Sequence, residues 1–272
     1  MPSNPTDRYF FSRKLFLLFL IMLAVSLSGG CAFLSSRKPQ ALFSKDEVEA
    51  FVKDIKEQEA IASTFGFTGK ISINGWVWDA TFNILVFGRK DPFMFKLEIS
   101  HSMGKPLLYF LVKEDKMVIR DFSEKKQYVG EFSSANLSRF LPNLDCSPEM
   151  IWSFLRGYPS LPSHGRVYEG VPGVLYAEDL DKRIIARIAF SKTEGIKEAV
   201  SSPPRGIDMK FTNFRKTGDF YYAEETEVED IKGKKDMTIK RKNISFNKDI
   251  PDELFTLKNR PVYDVVNLDE IQ

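Results

Sequence analysis

A two-residue alternation of apolar and polar side chains between Gly66 and Gly130 limits the possible folds of this chain more than any other feature. Apolar residues occupy every second position in two segments: Trp76, Trp78, Ala80, Phe82, Ile84 and Val86, then Phe93, Phe95, Leu97 and Ile99. Alternation of this kind is typical of antiparallel strands with one buried face. Seven more strands are predicted at 166–171, 173–179, 183–191, 207–214, 219–229, 235–241 and 243–247. Since no crossover helix separates successive strands, we predict a mainly β fold that is antiparallel throughout.

The stretch from Leu107 to Val112 departs from this alternation because it is apolar on both faces. A strand of this kind needs a cover on its second face. We therefore predict that another part of the chain packs there.

A helix is predicted ahead of the strands. Ser44 and Glu47 form a capping box, in which each side chain accepts a hydrogen bond from the backbone N–H of the other residue. The apolar residues that follow lie on one helical stripe, at Val48, Phe51, Val52 and Ile55. This stripe predicts packing against the domain.

Two short helices are predicted between the two groups of strands. The first begins at Ser133 or Ser134, is stopped by Pro142, and carries Leu137, Phe140 and Leu141. The second begins at Ser147-Pro148, ends before Gly157, and carries Met150, Ile151, Phe154 and Leu155. Helices this short need an apolar surface to lie on. From composition alone an ordinary filled core is favoured over a cavity for an acyl chain with the helices as its lid.

The N-terminus reads as a targeting segment. Arg8, Arg13 and Lys14 precede an apolar run at 15–27, and small residues then lead to Cys31. The stretch resembles the lipobox of bacterial lipoproteins, in which the cysteine is lipidated and becomes the new N-terminus. An uncleaved membrane anchor is the alternative, because no charged residue occurs between Lys14 and Arg37.

These features predict four segments. They are a signal peptide at 1–30, a lipidated N-terminus and tether at 31–43, a domain at 44–258 and a C-terminal tail at 259–272. Cleavage after residue 30 removes a net charge of +2 and leaves the mature chain neutral, so nothing favours nucleic acid as a partner. With Cys31 lipidated, Cys146 is the only thiol left, which excludes an internal disulfide and a cysteine-based metal site.

Signatures of an enzyme are scarce. The sequence has no HExxH, CxxC, GxSxG, Walker or GxGxxG pattern. Its two histidines, His101 and His164, lie in turn-like stretches and are predicted to be solvated side chains. Cys146, before a helix start, is predicted to be a small, partly buried residue. We therefore predict a protein that is not an enzyme and that has no cofactor and no metal site.

Four segments, in order and spacing, resemble LolB, the outer-membrane lipoprotein family that receives lipoproteins from a periplasmic carrier and inserts them. They are FTGKISI (Phe67–Ile73), KLEISHSMGKPLLYF (Lys96–Phe110), the stretch Met117–Pro159 ending in LRGYP, and PDELFTL (Pro251–Leu257). The match is strongest over about ninety residues, from 70 to 159, and thin from 166 to 250.

The resemblance implies a half-open antiparallel β-barrel, with the two short helices covering a concave apolar face. It implies acyl binding by Trp76, Trp78, Phe82, Ile84, Phe95, Leu97, Leu137, Phe140, Leu141, Met150, Ile151, Phe154 and Leu155. In LolB the tip of the turn that corresponds to His101–Lys105 is an exposed leucine that enters the bilayer, and Met103 matches that position.

The sequence also leads to expectations about cellular location and binding partners. Ala32 follows the cysteine where an acidic residue commonly retains lipoproteins at the inner membrane, so we expect an outer-membrane, periplasm-facing location. The expected partners are lipoprotein acyl chains or other lipid, the membrane itself, and a periplasmic LolA-like carrier. The alternative is a structural or protein-docking lipoprotein of the envelope with the same fold, for which a filled core is expected.

Overall fold

The computed structural model describes residues 43–74, 79–140, 148–162, 164–202, 207–230, 235–257 and 263–270. The helices are α1 (Lys45–Ile61), α2 (Ser134–Ser138) and α3 (Pro148–Arg156), with 3-10 helices at Asp252–Phe255 and Leu268–Glu270. Strands β1 to β6 are Thr64–Asn74, Asp79–Arg89, Met94–Ser100, Pro106–Lys113, Lys116–Asp121 and Lys126–Glu131. Strands β7 to β14 are Arg166–Val171, Val174–Glu178, Ile184–Ser191, Gly195–Ser201, Ile207–Thr217, Phe220–Asp230, Lys235–Phe246 and Asp264–Asn267. No helix within these ranges is both long and apolar enough to span a membrane.

All fourteen strands belong to one sheet, in the order β14-β6-β5-β4-β3-β2-β1-β13-β12-β11-β10-β9-β8-β7. The two end strands, β14 and β7, do not pair with each other, so the sheet is open. Helices α2 and α3 lie on the face that carries the alternating apolar residues. The predicted fold class, mainly β with an open antiparallel sheet and a few short helices, is confirmed.

One strand pair contradicts the prediction that the sheet is antiparallel throughout. Strand β14, from the segment predicted to be a C-terminal tail, pairs in parallel with β6, with Val265 opposite Gln127. Its four residues are too few to show alternation, so periodicity could not predict this strand.

Two other strands differ from the sequence-based prediction because of backbone irregularities. Strand β10 is absent from the prediction. Its register against β9 shifts between Ile196 and Glu198, which breaks the period of two, and the consecutive residues Ala199 and Val200 are both buried. Strand β13 is continuous where two strands are predicted, and Asn243, beside the predicted break, adopts a positive φ of 49° inside it.

The predicted helix N-terminus is confirmed. Ser44 Oγ accepts from the Glu47 amide at 3.2 Å, and Glu47 Oε2 accepts from the Ser44 amide at 2.8 Å. Ile55 is fully buried, and Val48, Phe51 and Val52 pack partly buried against the core. The apolar stripe therefore anchors α1 to the sheet.

The second face of β4 has the predicted cover. Leu111 on β4 and Met94 on β3 form a small separate core with Ile250 and Phe255 from the segment after β13. The nearby Lys96, expected on a polar face, is buried: its ammonium lies 2.7 Å from the Glu98 carboxylate and 5.4 Å from the centre of the Tyr109 ring.

The C-terminal segment also holds helix α2 in place. Asp269 Oδ1 accepts from the side-chain amide of the buried Asn136 at 2.7 Å and from the Glu131 amide at 3.1 Å. Leu268 is buried beside it, and its Cβ fills the space where a side chain at Gly130 would lie. These contacts connect β6, α2 and the chain end.

We predict that Asp269→Ala lowers the urea midpoint of unfolding at pH 7. Hydrogen bonds from Glu131 and Asn136 hold the pKa of Asp269 below its usual value. A lowered pKa stabilises the fold above the ordinary aspartate pKa of about 3.9, and this stabilisation is lost as the pH falls through the folded value. The difference in urea midpoint between the variant and the wild type should therefore disappear at acidic pH. Asp264→Ala, an exposed change on the same segment, is the control; an equal effect at both positions would contradict the role of Asp269.

Candidate functional site: an apolar cavity beneath two helices

Helix α3 has three chemically different faces. Trp152 packs on the sheet, with its ring centroid 4.8 Å from Phe65 and 6.1 Å from Phe93. Ile151, Phe154 and Leu155 lie together on a second face, as helical spacing requires. Glu149, Met150 and Ser153 form the third. Each face meets a different surface of the domain.

The second face of α3 covers an apolar cavity of about 280 Å³. Helices α2 and α3 contribute Leu137, Ile151, Phe154 and Leu155, and Phe140 comes from the turn after α2. The strands contribute Ile71, Ile73, Phe95, Leu97, Ile99, Leu108, Phe110, Ile119, Met209, Val228, Met237 and Ile239. Every described residue of the lining is apolar, and a void with such a lining suits hydrocarbon and offers water few partners.

Cross-strand pairing explains why these side chains meet. Phe95 and Leu97 of β3 stand opposite Val112 and Phe110 of β4, and directly paired residues point to the same face of a sheet. Ile71 pairs with Ile239 across the β1–β13 boundary. The apolar alternation seen in the sequence thus becomes the continuous floor of the cavity.

The cavity opens toward the end of the sheet where β1 and β3 finish. Ile73, the last apolar residue of β1, lines the cavity and is 41% exposed. Ile99 and Leu108 stand opposite each other there, just before the turn between β3 and β4. A ligand can therefore enter from the end that carries this turn.

Met103 lies at the tip of that turn and is 93% exposed. The turn is closed by the Gly104 amide, which donates to the His101 carbonyl at 2.8 Å, and Gly104 has a φ of 80°. No heavy atom of the described residues beyond its chain neighbours would lie within 4 Å of a Cβ at Gly104, so the tip stands clear of the described part of the domain. The structure therefore places an unsupported apolar side chain beyond the cavity mouth.

A buried arginine fixes the position of α3 over the cavity. Arg241 on β13 donates from Nε to the Leu155 carbonyl at 3.0 Å and from Nη2 to the Phe154 carbonyl. Its Nη1 donates to the Ala223 carbonyl at 3.1 Å and to Thr226 Oγ1 at 2.7 Å. Burial lowers the pKa of Arg241 to about 9, so the guanidinium is still charged at neutral pH. The cation satisfies carbonyls that the last helical turn leaves without partners.

Gly157 allows this contact. Its φ is 77°, and a Cβ there would lie 2.8 Å from Arg241 Cζ. Its amide bonds back to the Ser153 carbonyl at 2.9 Å, and its carbonyl accepts from the Ala223 amide at 2.6 Å. The glycine in the LRGYP segment is therefore required both by the left-handed backbone and by the close approach of Arg241.

Arg156 ties α3 to α1. It is fully buried, donates from Nη2 to the Gln58 carbonyl, and lies 4.7 Å from the Tyr158 ring centroid. Burial lowers its pKa to about 10. Sequence reasoning missed the anchoring roles of Arg156, Arg241 and Trp152. The signal for Arg241 was its spacing: it follows Met237 and Ile239 at every second position, so the alternation of β13 places its charge on the apolar face.

Seven of the thirteen predicted cavity residues line this cavity: Phe95, Leu97, Leu137, Phe140, Ile151, Phe154 and Leu155. Ile84 is buried in the core, and Phe82 packs at 5.9 Å against the His101 ring; neither lines the cavity. Met150 lies on the third face of α3 and lines a different cavity. Trp76, Trp78 and Leu141, together with Cys31 and Cys146, lie outside the described residues.

The described residues contain no group of three or more His, Cys, Asp or Glu side chains placed to hold a metal ion. His101 and His164 are exposed, as the sequence predicts. They lie in the β3–β4 turn and in the bend before β7, respectively.

Comparison with solved structures finds proteins of similar fold at low sequence identity. The chain is similar to a DUF1329 family protein from Desulfovibrio piger, with a TM-score of 0.51 and 15% identity, covering 77% of this chain and 97% of that one. A LolA superfamily protein from Nitrosomonas europaea gives a TM-score of 0.49 and 13% identity, with the same coverage. No family model and no curated relative matches the sequence. At 15% identity, the similarity to the protein from Desulfovibrio piger shows a shared fold.

We predict that Arg241→Met lowers the free energy of unfolding by about 3 kcal/mol. Three buried carbonyls lose a charged donor, while relief of the buried charge offsets part of the cost. Urea denaturation measures the change. Arg215→Met is the matched control, because Arg215 is exposed and pairs only with Glu224 at 3.1 Å, which predicts less than about 1 kcal/mol. Equal losses in both variants would contradict the anchoring role.

Proposed function

We propose that this protein is an outer-membrane lipoprotein that binds acyl chains in the apolar cavity and helps to receive or insert lipoproteins, in the manner of LolB. The observation that supports this most directly is the cavity between the sheet and helices α2 and α3, because every residue of its lining that the structure describes is apolar. Binding would come from burial of acyl chain, at about 0.8 kcal/mol for each methylene. The role requires no catalytic step and no cofactor.

The size of the cavity sets how much it can hold. At about 280 Å³ it lies at the lower end of ligand pockets, which usually span roughly 300–1,000 Å³. One acyl chain is therefore a better fit than several. A structural or docking module would need no such space, and the presence of the cavity favours lipid binding over that alternative.

Location and partners in this proposal follow from the sequence. A lipid on Cys31 would hold the chain in the outer membrane, and Ala32 after it is consistent with that membrane. The exposed Met103 at the cavity end of the sheet would contact the bilayer while a chain leaves the cavity. A LolA-like carrier would deliver the chain from the periplasm.

Filling the cavity should abolish binding without unfolding the domain. Leu108→Trp adds volume at the mouth, so we expect native mass spectrometry of the full chain in mild detergent to show at least tenfold fewer adducts with a triacylated lipoprotein. Leu107→Trp is the matched control, since Leu107 is the adjacent residue of β4 and does not line the cavity. Undiminished adducts with Leu108→Trp would show that lipid binds elsewhere.

The Met103 turn can be tested separately from binding. Met103→Glu should leave acyl binding intact and slow lipoprotein transfer into vesicles, because a carboxylate resists entry into hydrocarbon. Met103→Leu should transfer at the wild-type rate. The measurement is the fraction of labelled lipoprotein that becomes vesicle-bound with time; an unchanged rate for Met103→Glu would exclude the membrane role of this turn.

A further inference from the structure

The two most exposed large apolar side chains of the described residues both lie in turns. Met103 is one, and Leu180, in the turn between β8 and β9, is the other, with 80% of its surface exposed. A single exposed apolar residue needs no explanation, because folded proteins expose many of them. Two such residues at equivalent places in the fold require one.

Strand pairing places the two turns at the same end of the sheet. Ile73 pairs with Ala80 of β2, and three residues further along β2 Asn83 pairs with Ser100, the last residue of β3 before the Met103 turn. In the other direction, one row of directly paired residues crosses to β8 through Ile73, Met237, Val228, Met209, Ser201, Ala186 and Ala177. The β8–β9 turn follows just after Ala177. Both turns therefore project from the end of the sheet at which the apolar cavity opens.

Each turn adjoins a different cavity. The β3–β4 turn lies at the mouth of the apolar cavity, and Asp179, at the start of the β8–β9 turn, lines a larger cavity of about 760 Å³. Met209 lines both cavities, so they are neighbours on the sheet. The two exposed side chains thus lie beside a pair of adjoining cavities.

The β8–β9 turn is held by the carboxylate of Asp179. Its Oδ1 accepts from the amides of Asp181 and Arg183, both at 2.9 Å, and its Oδ2 accepts from Arg183 Nε at 2.8 Å. The Lys182 amide donates to the Asp179 carbonyl at 3.1 Å. Leu180 contributes no side-chain hydrogen bond and, at its exposure, little packing. The turn therefore presents Leu180 to solvent without depending on it for its own structure.

Neither turn carries a net negative charge. In the β8–β9 turn, Asp179 and Asp181 lie 2.7 Å and 3.0 Å from Arg183, and Lys182 balances the second carboxylate. Residues 101–105 of the β3–β4 turn include one lysine, Lys105, and no carboxylate. Both turns can therefore approach an anionic lipid surface without net repulsion from their own charges.

The spacing of the two side chains favours a bilayer over a protein as their partner. Eight strand-to-strand steps separate the β3–β4 turn from the β8–β9 turn, which is about 38 Å along the sheet. A protein partner binds through a contiguous patch with a buried centre, whereas these are two isolated side chains. The apolar layer of a membrane can receive each of them independently.

We propose that Leu180 is a second membrane-inserting residue, which acts together with Met103 to turn the cavity end of the sheet toward the bilayer. This inference rests on the proposed membrane contact of Met103 and extends it to the other half of the sheet. Contact at two separated points restricts the tilt of the cavity mouth more than one point does. The partner of the β8–β9 turn is thus a phospholipid surface.

The first test is photo-crosslinking of the full chain reconstituted into vesicles of phosphatidylethanolamine and phosphatidylglycerol. Genetically encoded benzoylphenylalanine replaces Leu180, Met103 or, as the matched control, Val171, an exposed apolar residue at the opposite end of the sheet. Mass spectrometry of the intact protein counts the chains that carry a covalently attached phospholipid. We expect at least about tenfold more adduct at positions 103 and 180 than at 171, the scale set by transfer of one large apolar side chain from water.

The same crosslinking in a Leu108→Trp background separates the bilayer from a lipid held in the apolar cavity. Adducts at position 180 should persist there, and their loss would overturn the inference. Adducts at 103 alone, or equal adducts at 180 and 171, would also overturn it while leaving the proposed function in place. Absence of adducts at both 103 and 180 would remove the membrane contact of Met103 from the proposed function as well.

Leu180→Glu tests the consequence for transfer. The variant should slow lipoprotein transfer into vesicles as Met103→Glu does, with acyl binding unchanged, because a carboxylate resists entry into hydrocarbon. Val171→Glu should transfer at the wild-type rate. A wild-type rate for Leu180→Glu would contradict the inference.

Discussion

A buried cation, Arg241, holds the end of the helix that covers the cavity. Arg241 binds the carbonyls at the end of α3, a nine-residue helix too short to persist alone. Without that anchor, the carbonyls of Phe154 and Leu155 would lose their charged donor, and the end of α3 would be held less firmly above the sheet. The shape of the cavity therefore depends in part on a polar contact, although every described residue that lines it is apolar. Gly157 makes the contact possible by leaving room for the guanidinium.

Much of the fold could be predicted from periodicity, because each long strand buries one face. The helix starts were predictable too, since Ser44 and Ser133 cap them through local hydrogen bonds. The irregularities of the backbone were not predictable in this way. The bulge in β10 and the positive φ of Asn243 break the period of two without leaving the sheet, and β14 is too short to show any period. Periodicity fails to predict a strand where its pairing with the neighbouring strand is irregular.

The site was less predictable than the fold. The helical stripe pointed to Phe154 and Leu155, and the alternation to Phe95 and Leu97, because the same burial that shapes an element also directs its side chains. The helical stripe could not show that Met150 lines a different cavity, because the apolar residues of α3 face three different surfaces of the domain. The two-residue spacing from Ile239 places Arg241 on the apolar face, but it cannot show that the partners of the guanidinium are carbonyls of α3.

The first described residue, Phe43, and the exposed Met103 lie at opposite ends of the sheet. The Phe43 amide donates to Glu169 at 2.9 Å beside the β7–β8 turn, whereas Met103 lies in a turn at the opposite ends of the strands. An eleven-residue strand measures about 36 Å, so these two positions are separated by at least roughly one strand length. A partner that contacts one end of the sheet therefore leaves the other end accessible to a second partner.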